Sequence, residues 1–243
     1  MTRGARVRSW KRWLVIGVVA AVAALVAGPF IYIHFIEGTA PPPLALPSTP
    51  VATATVTDTG SGTAATDGTV TSDGTWNVAD GSEVGYRIKE VLFGQSNEAV
   101  GRTGAITGSI TVRGAAVTGG SFTVDMTTVT SDESRRDGQF NGRIMETSVY
   151  PTATLRITEP IDLGSVPADG VQRTYTATGE LTLHGVTKTV QFNVAGRISG
   201  STVEVAGSIP ITFSEWNIGN PSFGPVTTQD HGVLEFALNL THA

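Results

Sequence analysis

The stretch from Thr178 to Val194 constrains the fold more than any other part of this 243-residue chain. Tyr175, Ala177, Gly179, Leu181 and Leu183 alternate with Thr176, Thr178, Glu180 and Thr182, the period-2 pattern of a strand with one face buried. On the return arm Val190, Phe192 and Val194 alternate with Thr189, Gln191 and Asn193. Between the arms sits His184-Gly185, where Gly takes a positive φ freely and His is among the side chains that tolerate it. The segment reads as an antiparallel hairpin with one face in and one face out.

The same alternation recurs along the chain. Val84, Tyr86 and Ile88 form one such row; Ile106, Gly108, Ile110 and Val112 another; Phe122, Val124 and Met126 a third. Leu155 and Ile157 follow, then the hairpin, then Val203 to Ile211, and Leu234, Phe236, Leu238 and Leu240 close the chain. About eight strands joined by Gly-rich turns suit an antiparallel barrel or sandwich. One helical interruption is expected over Ser134 to Glu146, where Phe140 and Ile144 lie four apart.

The N-terminal third has a different character. Residues 1–12 carry five basic side chains and no acid, and Trp13 to Ile36 contain no charged residue. As a helix at ~1.5 Å per residue that run would extend about 36 Å, enough for a hydrocarbon core of ~30 Å. The basic flank predicts a cytoplasmic tail (1–12), a retained transmembrane anchor (13–36) and the remainder outside. A cleaved signal peptide with Ala21 to Ala27 as its apolar core is the competing reading. Residues 37–74 hold five Pro and ten Thr with no aromatic, Lys or Arg, and are expected to form a disordered linker. As a free coil it would reach on the order of 30–37 Å.

Composition excludes several functions. Without Cys there is no thiol nucleophile or zinc–thiolate site. The four His show no metal-ligand spacing, and no G-x-S-x-G elbow, phosphate loop or dinucleotide fingerprint occurs. Residues 75–243 carry eleven basic against seventeen acidic side chains, which argues against nucleic acid as partner. In Ser131-Asp-Glu-Ser-Arg-Arg-Asp137 the charges suit helix capping and surface pairing, His184 suits a turn, and Lys188 suits a barrel end with its ammonium in water. His231 has no evident partner.

Several of these pieces, in this order, resemble the YceI-like, polyisoprenoid-binding proteins. They are Thr75-Trp-Asn-Val, Ser82-Glu-Val-Gly-Tyr-Arg-Ile, the Ser131–Asp137 cluster and Tyr150-Pro-Thr-Ala-Thr-Leu. The hairpin Thr178-Gly-Glu-Leu-Thr-Leu-His-Gly-Val-Thr-Lys-Thr-Val-Gln-Phe, Ile211-Thr-Phe-Ser-Glu-Trp-Asn-Ile and the closing Val233–Leu240 strand complete the set. The resemblance spans residues 75–242 or so and departs from the family pattern at Asn217-Ile218-Gly219. It implies a lipocalin-like barrel over 75–243 that holds an isoprenoid or similar apolar lipid, a quinone or polyprenyl carrier included, with no other cofactor and no catalysis.

An eight-stranded barrel can be filled by its own side chains or can hold one small ligand. Small inward residues such as Gly108, Ala177, Gly179 and Gly207 leave volume, or they only relieve curvature. Pattern alone leaves both open; the resemblance favours a tunnel. The expected wall comprises Tyr86, Ile88, Ile110, Phe122, Val124, Leu155, Gly179, Leu181, Phe192, Phe213 and Phe236, with Gly179 providing room. If the interior is filled, the alternative is a cell-envelope protein that binds a partner on its outer face. An enzyme would need a polar pair inside the barrel, which these rows do not offer.

Overall fold

The computed structural model describes residues 13–22, 40–47, 73–92, 94–224 and 226–243. Among these residues thirteen strands carry the domain. The first six are β1 (Gly74–Val78), β2 (Glu83–Leu92), β3 (Gln95–Thr103), β4 (Ile106–Arg113), β5 (Ala116–Asp125) and β6 (Thr130–Ser131). Next come β7 (Thr152–Ile157), β8 (Ile161–Asp162), β9 (Arg173–Leu183) and β10 (Val186–Ser199). The last are β11 (Thr202–Thr212), β12 (Val226–Thr228) and β13 (His231–His242). Every pairing between them is antiparallel.

Eight of these close a ring in the order β1-β4-β5-β7-β9-β10-β11-β13, sealed where Trp76 faces His242 and Val78 faces Leu240. The signature hairpin is its most regular part: β9 and β10 pair from Leu183–Val186 to Arg173–Gly196 around a two-residue turn. His184 (φ 48°) and Gly185 (φ 74°) both adopt left-handed backbone, which matches the twist of the flanking strands. β2 pairs with β13 beyond β1, from Glu83–Ala237 to Arg87–Val233, and carries β3 and β12 on its flanks. At that end the barrel flares, and the connection between β5 and β7 packs into it. There the α-helix is shorter than its sequence suggested, Ser134–Gln139, and gives way to a π-helical turn over Phe140–Ile144. Gly138 and Gly142 weaken α-helix across this stretch. The π-turn sets the Phe140 ring flat on Tyr86, with centroids 5.1 Å apart and planes 11° apart.

Part of the expected linker is ordered on the outer wall. Residues 40–47 are a strap lying on the barrel. Arg87 Nη2 donates to the Pro41 carbonyl (2.7 Å), Arg102 donates to the Pro42 carbonyl, and Arg197 Nη1 donates to the Pro47 carbonyl (2.9 Å). The Leu44 N–H reaches Glu235 Oε2 at 3.4 Å. These partners stand on β2, β3, β10 and β13, so the strap crosses the order β3-β2-β13-β11-β10. From Arg87 on β2 to Arg197 on β10 is three strand spacings, about 14 Å. The six steps from Pro41 to Pro47 reach about 19 Å as polyproline, enough for the crossing. Proline-rich chain loses little conformational freedom on docking, and its carbonyls accept from arginines that glutamates already hold in place.

Beneath the strap Glu235 is only 3% exposed. It binds Arg87 (3.3 Å) and Arg102 (3.2 Å), and Arg87 also holds Glu98 at 2.7 Å. Burial works against the Arg87 charge, but its bonds to Glu235 and Glu98 outweigh that and hold it above the usual arginine range.

At the other end of the N-terminal third, a helix spans 13–22. Residues 1–12, 23–39 and 48–72 lie outside the described residues, and with them most of the expected anchor and linker. Among the described residues no helix is long and apolar enough to cross a membrane.

Candidate functional site

Strand alternation sends one row of each ring strand inward, and these rows do not meet. They enclose a cavity of about 1410 Å³, above the ~300–1,000 Å³ of ordinary small-molecule sites. Of the expected wall, Tyr86, Ile88, Ile110, Phe122, Val124, Leu155, Leu181, Phe192, Phe213 and Phe236 all line it. Phe192 and Phe236 meet edge to face with centroids 6.0 Å apart.

Gly179 does not line the cavity. A Cβ there would lie 2.7 Å from the Arg156 carbonyl oxygen and 3.3 Å from Leu155, so this glycine lets β9 lie close against β7 rather than leaving room. Gly196 holds the space instead: it lines the cavity, its φ is not positive, and a Cβ there would meet Tyr175 and Val205 at an ordinary 3.8 Å. The two glycines read alike in sequence, because alternation shows which way a position faces and not how far away the opposite strand is.

Polar groups gather at the flared end. Glu90 points inward on β2 and is 8% exposed, accepting from Asn97 at 3.0 Å and from Arg136 at 3.5 Å. Arg136 also pairs with Asp132, and the acids Glu90 and Asp132 raise its pKa against the effect of burial. Within the 131–137 cluster, the Glu133 side chain caps the helix by accepting from the Arg135 N–H at 3.2 Å. Asp137 accepts from the Ser131 N–H (2.8 Å) and hydroxyl (2.7 Å). The cluster thus caps and pairs as its sequence suggested, but Glu133, Arg135 and Arg136 also rim the cavity. Burial pushes the Tyr86 phenol well above its ordinary range, so it stays neutral.

At the opposite mouth the cavity is lined by Leu163, Val166, Pro167 and Ala168 of the β8–β9 connection. Tyr175 stands on the wall near this end, and its hydroxyl is buried without a hydrogen bond. The alternation Tyr175-Ala177-Gly179 already placed Tyr175 inward; nothing in the pattern marked its hydroxyl.

The remaining candidates sit outside the cavity. Lys188 leans out to Glu215 (3.7 Å) and over Trp216. His184 lies 3.2 Å from both the Trp216 carbonyl and the Glu146 carboxylate. His231 pairs with exposed Asp230 at 2.7 Å. Among the described residues no cluster of three or more His, Asp or Glu is placed to hold a metal ion.

A family model described as the YceI-like domain matches residues 76–240. Among solved structures, the chain is similar to a polyisoprenoid-binding domain from Saccharophagus degradans implicated in plant cell wall breakdown. They share 18% identity with a TM-score of 0.57, over 70% of this chain and 98% of that one. Burkholderia cenocepacia BcnA follows at 23% identity and a TM-score of 0.49, over 63% and 95% of the two chains. The Campylobacter jejuni YCEI protein shows 14% identity and a TM-score of 0.44, over 57% and 83%. The first likeness speaks to the fold alone. No curated protein matches the chain.

Proposed function

The chain belongs to the YceI-like family, and on that premise we propose that it is a membrane-tethered, extracytoplasmic binding protein whose barrel holds an isoprenoid or similarly apolar lipid without chemistry. The observation that carries this reading is the open apolar cavity. A filled barrel would have closed it. Each buried methylene is worth roughly 0.8 kcal/mol, so a tail of several isoprene units supplies ample gross energy without polar recognition. The binding that the Saccharophagus degradans domain is named for agrees with it.

Organic extraction of the purified protein followed by mass spectrometry tests the reading directly, with an apolar lipid as the expected product. A plug sharpens it. Gly196→Phe projects a ring into the cavity with no backbone clash, so the variant should fold and carry no extractable lipid. Wild-type protein without lipid, or a plugged variant that still carries it, would overturn the reading.

Tethering rests on the uncharged run Trp13–Ile36 and the five basic residues before it. Protease added to intact spheroplasts should remove the barrel, and a protected barrel would refute the placement. The strap alters how such a tether would act. Only residues 37–40 separate Ile36 from the strap's first bonded carbonyl at Pro41, at most about 18 Å of extended chain. The barrel would then sit close to the bilayer rather than at the end of a long coil.

A further inference from the structure

An isoprenoid carrier must take its lipid from a bilayer, and the flared mouth has the surface for that. Phe223 is 61% exposed although it also lines the cavity. It bridges to Val226, which pairs with Leu92 at the end of β2. Val91, beside Leu92 but on the outer face, is 42% exposed. An aromatic ring and two valines therefore form a lip continuous with the tunnel interior. Arg143 reinforces it: its guanidinium lies 5.7 Å from the centre of the Phe223 ring and donates to the Pro221 carbonyl at 3.0 Å. Exposed aromatics beside cations suit a boundary between apolar chains and head groups better than bulk water.

A second, independent observation says which surface the lip meets. The strap begins on Arg87 of β2, and Val91 lies four residues further along the same outer face, about 13 Å away at ~3.3 Å per residue. The apolar run Trp13–Ile36 ends at most about 18 Å of chain before that point. The strap thus begins on the strand that ends in the lip, so an anchor formed by that run would be tied nearer this mouth than the one near Gly200.

We propose that Phe223, Val226 and Val91 form a membrane-contacting lip through which the bound lipid passes between the bilayer and the tunnel. The partner surface is the bilayer, and the proposal rests on the lipid-binding and tethering readings above. The lip is a loading surface at the tunnel's edge, and its outer residue Val91 does not line the tunnel.

The test uses the full chain reconstituted in phosphatidylcholine vesicles containing a minority of phosphatidylglycerol. Phe223→Trp serves as reporter in a background with Trp10 and Trp13 replaced by Phe, where Trp76 and Trp216 are buried in the barrel. Brominated phosphatidylcholine should quench the added emission selectively. Val91→Asp puts a charge on the lip away from the tunnel. It should slow uptake of a dansyl-farnesyl probe from vesicles about tenfold, leaving the amount held from detergent-dispersed probe unchanged. An unquenched Phe223→Trp together with wild-type uptake by Val91→Asp would overturn the lip and leave the tunnel reading standing. If wild-type protein takes up no probe from vesicles or from detergent, the tunnel reading falls and the lip falls with it.

Discussion

The two faces of the same strands are built on opposite plans. Along β13 the inward row Leu234, Phe236 and Leu238 borders open volume. The outward Glu235 between them is packed under a strap and saturated with ionic partners. β2 repeats the contrast, with Tyr86 and Ile88 facing the cavity and Arg87 tied to Glu235, Glu98 and Pro41 outside. The barrel therefore keeps its apolar side loosely filled and its charged side tightly satisfied. A ligand tunnel requires this arrangement: side chains that would fill the middle are withheld, and part of the stability comes from the outer wall.

The largest effect should come from breaking the outer wall. Glu235→Ala would leave Arg87 and Arg102 without their shared partner and the Leu44 N–H without its acceptor. Removing one member of a buried ion pair costs about 3–5 kcal/mol, to be read by denaturant unfolding. A loss below about 1 kcal/mol would show that the strap lifts and water replaces the carboxylate, since exposed pairs contribute that little.

The inner wall should respond less than its size suggests. Phe192 is well buried against Phe236, and truncation to Ala would cost roughly 4 kcal/mol in a packed core. Here the ring already borders open space, so few atoms lose a partner; the expected cost is about 2 kcal/mol, the transfer part alone. Retained lipid should fall markedly in the same variant. A loss as large as that of Glu235→Ala would mean that the tunnel is not open in solution.

The strap itself offers a smaller test. Replacing Pro41, Pro42 and Pro43 together by Gly keeps the accepting carbonyls but frees the unfolded chain, and should cost about 1–2 kcal/mol. Deleting residues 53–72 should leave the melting temperature unchanged, because that stretch offers little apolar surface to bury. Equal responses to the two changes would erase the distinction between a docked strap and a passive linker.

The difference between the walls also explains what could be read in advance. Inward rows announce themselves by alternation, so the hairpin, the ring and nearly all of the expected wall were legible. β3 was not, because Gln95-Ser-Asn-Glu-Ala-Val-Gly-Arg-Thr103 pairs along the whole of β2 without an apolar row of its own. Its place is set by its neighbour. The strap was equally silent. Composition describes what Pro41 to Pro47 can bury, and their docking depends instead on carbonyls meeting arginines distant in sequence. Gly179 and Gly196 differ only in the approach of the opposite strand, which no local pattern contains.

Among the described residues one side-chain polar atom on each wall is buried without a partner, Arg102 Nε outside and Tyr175 Oη inside, and the pair gives the finest comparison. The guanidinium still bonds Glu83, Glu235 and the Pro42 carbonyl through its other nitrogens, so its orphan N–H belongs to a group otherwise satisfied. The Tyr175 hydroxyl has no such compensation. In the unfolded chain water solvates it, and folding strips that water away. Tyr175→Phe removes the hydroxyl and keeps the ring in the space that Gly196 leaves, so the variant should be more stable by about 1 kcal/mol. Paired denaturant melts of lipid-free protein would resolve that gain. A loss of similar size would mean that the hydroxyl finds a water or a wall partner in solution, and that the inner wall is as fully satisfied as the outer one.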